Sequence, residues 1–188
     1  MRIVPFLITT AISTALVITL NTRLTIGGNE APAFGSFLSP QHGFWQNAEA
    51  VSESYTADLK FSQLNGKVDV YLDDRLVPHI FAEQENDAYF VQGFLHSKFR
   101  LWQMEFQAYA AAGRLSEILG NKDERILNFD RNMRRLGMVY AAEIALQQMN
   151  NDPVIKSQCD AYTAGVNAYI ETLTESTLPL EYKLIGYK

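Results

Sequence analysis

"FRLWQMEFQAYAAAGRLSEILG", residues Phe99–Gly120, decides how the rest of the chain is read. Apolar side chains recur at Leu101, Met104, Ala108, Ala111, Ala112, Leu115, Ile118 and Leu119. That spacing predicts a helix with one face turned to a core. Gly113 breaks or kinks the run, and Gly120 suits a C-terminal cap. Glu105 falls beside the Met104/Ala108 stripe, on the side expected to be buried. A buried carboxylate is costly unless it is paired and hydrogen-bonded. Two readings follow. Glu105 forms a buried pair with an arginine, for which Arg114 and the cluster Arg131, Arg134 and Arg135 are at hand. Alternatively it serves as a general acid or base, although no second catalytic group is spaced with it.

Upstream, "GKVDVYLDDRLVPHIFAE" alternates at Val68, Val70 and Leu72, breaks at Asp73-Asp74-Arg75 and resumes from Val77 to Phe81. This is a hairpin signal, with Pro78 pushing the second strand toward an edge. His79 in that strand reads as a hydrogen-bonded structural residue, with no second histidine or cysteine nearby for a metal. An amphipathic segment over about 85–95 leads into the opening stretch. Downstream, helices are predicted over about 134–149 and from Asp152, where Asp152 caps and Pro153 fits the first turn. Ile155, Cys159, Tyr162, Val166, Tyr169, Ile170 and Leu173 mark one face of the last helix. Cys159, the only cysteine, cannot form an intrachain disulfide and is expected to be an inert core thiol.

At the N-terminus, Ile3 to Leu20 carries no charge and is about long enough to span a bilayer. No A-x-A cleavage motif follows it. It is an uncleaved anchor or a long export signal, and either places the remainder outside the cytoplasm. Arg2 and Arg23 flank it on both sides, so charge does not fix its orientation. Residues 1–23 are therefore set apart. Residues 24–58, rich in Gly, Pro, Ser and Asn, are expected to be a linker with some packed aromatics (Phe34, Phe37, Phe44, Trp45). The folded part begins near 59 and runs to 188. The chain has 188 residues, 47% hydrophobic and 20% charged, with a net charge of -5. Those totals suit a globular protein and argue against disorder. No Lys/Arg-rich run or basic stripe points to nucleic acid.

Five stretches, taken in order, carry a resemblance. They are "LVPHIFAE" (76–83), "YFVQGFLHSKFRLWQMEFQAYAAAGRLSEILG" (89–120), "DRNMRRLGM" (130–138), "CDAYTAGVNAYI" (159–170) and "LPLEYKLIG" (178–186). Together they resemble the start of the α chain of the penicillin acylase (penicillin amidase) family, over about 67–188. The resemblance implies an α+β fold, here the mostly helical N-terminal part of an αββα N-terminal-nucleophile hydrolase with a short β-hairpin. It implies hydrolysis of linear amides such as penicillins, cephalosporin side chains or acyl-homoserine lactones. The nucleophile is a serine freed at the start of a β chain, with its own α-amino group as base; such an amine titrates near neutral pH and already lies beside the hydroxyl.

The chain departs from the family pattern at Phe99, where an Asp precedes the Arg-Leu-x-Gln-Met-Glu run. Phe99 can neither cap nor pair with Arg100, although Ser97 is a candidate cap one turn earlier. The resemblance also implies that these residues are a truncated segment, incomplete without the β chain. The nucleophile and oxyanion hole then lie outside it, as do the substrate-contacting residues and the glutamate that binds calcium. The expected catalytic, substrate-binding and metal residues within 1–188 are accordingly none, and no cofactor is expected in this chain. The expected partners are the β chain of the same precursor or a downstream-encoded remainder, with a membrane through 3–20. The expected location is periplasmic or otherwise extracytoplasmic. The one Gly-Ser pair, Gly35-Ser36, precedes the matched region, so Ser36 is a poor candidate nucleophile. His42, His79 and His96 are not spaced with a serine, and no G-x-S-x-G elbow occurs. Two functions compete: a fragment of an amide hydrolase, and a non-enzymatic, membrane-tethered helical module that keeps the acylase framework.

Overall fold

A computed structural model describes residues 3–26, 29–31, 33–39, 43, 54–121 and 123–185. His42, Phe44, Trp45 and Gly186 lie outside the described residues. The chain divides into two compact units, residues 1–53 with 174–188, and residues 54–173.

The first unit opens with α1 (Ile3–Asn21), which has no buried residue and is long and apolar enough to cross a membrane. The stretch expected to be a linker contains a short antiparallel hairpin, β1 (Leu24–Ile26) with β2 (Asn29–Ala31), and the single turn α2 (Phe34–Phe37).

In the second unit, β3 (Val68–Leu72) pairs antiparallel with β4 (Pro78–Ala82), Val70 opposite Ile80 and Leu72 opposite Pro78. The connection is tied by Asp73, whose Oδ1 accepts from the backbone N–H of Arg75 at 2.9 Å and of Val77 at 2.8 Å. Those bonds, the Val77 amide foremost, hold the Asp73 carboxyl below its ordinary pKa. Then come α3 (Glu85–Ala111), α4 (Leu115–Leu119), α5 (Glu124–Arg135), α6 (Met138–Asn150) and α7 (Pro153–Ile170). The helix α8 (Leu180–Ile185) belongs to the first unit, where it touches α2 and buries Tyr182.

The core of the second unit lies where α3 crosses α7. Phe90, Val91, Phe94 and Ala168 are buried there. Phe61 stacks on Phe90 and Phe94 at 5.2 and 5.0 Å, and Tyr169 meets Phe94 edge-on at 5.6 Å. Each buried phenyl group contributes about 1.5–3 kcal/mol. The crossing is close because it is made by Gly93 on α3 and Gly165 on α7. A Cβ on Gly93 would strike the Tyr162 carbonyl, and one on Gly165 the Phe90 carbonyl.

The hairpin, the Asp152 cap and Pro153 in the first turn of α7 are as expected: Asp152 Oδ1 accepts from Val154 N at 2.9 Å. One expectation is corrected. The helix placed over about 134–149 is two helices, α5 and α6, parted at Gly137, and α5 begins ten residues before it. The polar run from Glu124 to Arg135 hides α5 from an apolar-spacing search, while its Asp123 cap, bonded to Arg125 N at 2.8 Å, fits the usual rule.

Candidate functional site

The buried acids are not the one singled out in the sequence. Glu105 is half-buried, whereas Asp87 and Asp130 are almost fully enclosed. The arginines expected to pair with Glu105 bond elsewhere: Arg131 with Asn128 Oδ1, Arg134 with the Gly113 carbonyl, and Arg135 with Asn132 Oδ1. Asp87 opens α3 and accepts from Asn65 N and Gly66 N, the latter at 2.8 Å, clamping the turn that enters β3. Asp130 reaches from α5 to the start of α4. Its Oδ1 accepts from Leu115 N at 2.9 Å, and its Oδ2 from Ser116 N at 2.9 Å and Ser116 Oγ at 2.6 Å. Burial pushes the Asp130 pKa up, but the Ser116 hydroxyl, the two amides and the Arg134 charge outweigh it and hold the carboxyl below its ordinary range. Gly113 completes the junction. Its backbone is left-handed at φ 65, and it sits against the Asp130 carbonyl and the Arg134 side chain too closely for a Cβ.

The opening stretch contains a backbone break. Within α3, Arg100 leaves helical geometry at φ -145, ψ 23, so the helix kinks one residue after Phe99. Ser97 does not cap there; it is fully buried and donates back to the Gly93 carbonyl at 2.9 Å. Phe99 has its own role: its ring lies 6.3 Å from that of Tyr55, and Lys98 Nζ sits 5.7 and 5.8 Å from the two ring centroids. An aromatic and cation–π cluster stands where the resemblance led an acid to be expected. His96, one turn before the kink, holds Tyr162 on α7 through an Nδ1–Oη contact of 3.0 Å.

The remaining candidates are dispersed. Ser36 lies on α2 in the first unit, whereas His79, His96, Glu105 and Cys159 lie in the second. His79 is more than half exposed, with Nε2 3.9 Å from Asp73 Oδ2. Cys159 is a free thiol, half-buried and not in the core as expected, and it borders a small hollow of about 380 Å³ with Tyr89 and Tyr162. Asp87 and Asp130 are already filled by N–H and O–H donors, and among the described residues no three His, Cys, Asp or Glu groups come together to hold a metal. The groups that sequence reasoning missed are Asp87, Asp130 and the Gly93/Gly165 pair. Asp130 begins the stretch DRNMRRLGM, and Gly93-x-x-x-Ser97 has the spacing of a close helix contact; those were the available signals.

Comparison with known proteins gives these features a lineage. The penicillin amidase family profile matches residues 67–188. The chain is 35% identical over 138 residues to penicillin acylase 2 proenzyme of Pseudomonas sp. (strain SE83), covering 73% of this chain and 17% of that protein. It is 36% identical over 112 residues to the acyl-homoserine lactone acylase QuiP of Pseudomonas aeruginosa, covering 60% of this chain and 12% of that protein. The solved structure of a thermostable penicillin G acylase from Alcaligenes faecalis superposes with a TM-score of 0.57 at 23% identity, over 66% of this chain and 65% of that one. The mostly helical fold with its β3–β4 hairpin is thus that of a penicillin acylase segment. The chain spans less than a fifth of the length of these curated relatives. With the profile matching well over half of its residues, the chain belongs to the penicillin amidase family.

Proposed function

We propose that residues 1–188 form the N-terminal framework of an amide hydrolase that removes acyl groups from amines through an N-terminal serine on a partner segment. The observation that carries this is the family match over 67–188, which includes the hairpin and the crossed pair α3 and α7. The two named relatives are a penicillin acylase and an acyl-homoserine lactone acylase, so linear amides of acylated amines are the substrate class. Acyl transfer of this type needs a nucleophile with a base in reach and donors aimed at the developing oxyanion. In this reading the partner segment supplies all three, and this chain supplies the scaffold against which they are held. The helix α1 directs export or tethers the chain, which places the enzyme outside the cytoplasm; its length, its lack of charge and its lack of any buried residue support this.

The test is complementation. Residues 1–188 are produced with and without the remaining segment of penicillin acylase 2 proenzyme, and amide turnover is measured on penicillin G and on an acyl-homoserine lactone. Turnover is expected only from the pair. Turnover by residues 1–188 alone that disappears on Ser36→Ala would replace this reading with one centred on Gly35-Ser36. Failure of the pair to associate or turn over would favour the tethered non-enzymatic module. N-terminal sequencing after fractionation tests the location; an intact, soluble cytoplasmic chain contradicts it.

A further inference from the structure

Two backbone irregularities of the second unit border the same cavity. One is Leu76 at the hairpin tip, a non-glycine residue in the left-handed region at φ 59. The other is the break in α3 at Arg100. Both line a cavity of about 790 Å³ together with Arg75 and His96, a size typical of small-molecule sites. A left-handed leucine costs roughly 1–2 kcal/mol, and such residues cluster at ligand clamps.

The lining has one sign of charge. Arg75 and Arg100 both contribute, and none of the lining residues is acidic. Among the described residues the Arg100 guanidinium hydrogen-bonds the neutral Gln103 Oε1 at 3.3 Å, and neither arginine has a carboxylate partner. His96 is held at Nδ1 by Tyr162, which leaves Nε2 without a protein partner among the described residues. Gln103 and Gln107 add neutral amide donors, while Leu76, Pro78, Phe99 and Met104 supply apolar wall. Guanidinium forks match a carboxylate in two-point geometry, and a cleft of one charge with apolar walls concentrates the opposite charge. A small inorganic anion would leave the apolar wall wet, and a neutral alkane would leave the arginines uncompensated.

We infer that this cleft binds a monocarboxylate with an apolar body, its head on Arg75 and Arg100 and its tail against Leu76, Phe99 and Met104. The site stands on its own lining and not on the amide hydrolysis proposed above, so either idea can fail without the other.

The test uses the full chain and hexanoate, followed by residue-resolved amide NMR shifts. Saturable shifts confined to 75–78 and 95–107 are expected. Hexanol and inorganic phosphate should bind at least about 10-fold more weakly, since each lacks one half of the complementarity. Arg75→Gln and Arg100→Gln should each weaken hexanoate about 10-fold, the loss of one hydrogen bond to a charged group. Unchanged far-UV circular dichroism checks that each variant folds, and Arg100→Lys, which keeps the charge without the fork, should fall between parent and Arg100→Gln. Hexanol binding as tightly as hexanoate would reduce the cleft to a greasy surface, and phosphate binding as tightly would reduce it to a plain anion site. Shifts centred on other residues, or arginine variants with parental affinity, would overturn the assignment.

Discussion

The pair α3 and α7 and the helix α6 belong to the same compact unit, yet they treat apolar residues in opposite ways. Where α3 crosses α7, two glycines bring the backbones together and Phe90 is left 2% exposed. Along α6 no residue is buried, and Tyr140 and Leu146 stand 69% and 56% exposed. All three helices carry regularly spaced apolar side chains. The difference lies in shape. Glycine on both partners lets one helix sink into the other, so the flanking aromatics close over the contact. α6 touches α5 and α7 but has no such seat. Apolar spacing marks a face that can be buried; small residues on both sides decide whether this chain buries it.

The sharpest way to break the comparison is to empty the buried side. Phe90→Ala removes a ring that packs against Phe61 at 5.2 Å and has almost no contact with water. The expected loss is about 3–5 kcal/mol, since a close-packed crossing relaxes little around the hole. Urea unfolding followed by tryptophan fluorescence measures it. A loss below about 1 kcal/mol would mean that the crossing is no more a core than α6.

Closing the seat is the next step. Gly165→Val places a branched side chain against the Phe90 carbonyl, which is backbone and cannot swing away. The helices must separate, at an expected cost of about 3 kcal/mol. The Phe94–Tyr169 edge contact, 5.6 Å between centroids, should open with them. Ring-current shifts of those two residues by NMR report this directly. Retained shifts together with parental stability would show that the glycines are incidental.

Much of this was legible in the sequence, for reasons that differ by element. The hairpin and the start of α7 follow from local chemistry: alternation, a turn at Asp73, a cap at Asp152. Residues that act across long sequence separations were not legible in the same way. Asp130 bonds Leu115 and Ser116, and Asp87 bonds Asn65 and Gly66, so each partner lies well outside its own helix. Glu105 looked buried because it sits on an apolar stripe, but its surroundings cover it only halfway. The cleft at Arg75 and Arg100 depends on a kink at Arg100 that no proline or glycine marks. Helical spacing predicts a face, whereas a bend in the backbone decides what that face meets.

Between the two regions stands the Asp130 junction, polar but buried. Asp130→Asn keeps the shape but loses the charge, and it turns an NH₂ toward one of the donors it used to accept from. The expected loss is about 2 kcal/mol at neutral pH, within the range for leaving a buried donor unsatisfied. The parent should also show an acid signature. Its folded carboxyl titrates below the unfolded reference of 3.8. The stabilisation it contributes is therefore complete above that reference and is lost as pH falls through the lower folded value. Stability measured from pH 7 down to below 3 should fall less steeply in Asp130→Asn than in the parent at the acid end. Equal slopes would place the acid sensitivity in other carboxylates.

The smallest expected effect on stability is on α6, and it sharpens the contrast most. Tyr140→Ser with Leu146→Ser removes two large apolar groups that stand mostly exposed among the described residues. Burial contributes little that can be lost, serine and tyrosine differ little in helix propensity, and the leucine-to-serine step costs only a few tenths of a kcal/mol. The unfolding free energy should therefore move by no more than about 0.5 kcal/mol, the usual range for surface changes. Association is the property expected to change. Exposed apolar patches drive contact between copies or with a covering partner. The double variant should elute later than the parent in size-exclusion runs at matched protein concentration, with α1 intact in both so that its own apolarity cancels. A loss of 2 kcal/mol or more would mean that α6 packs on its own unit in solution, and the division between the two regions would fail at the helix that defines it.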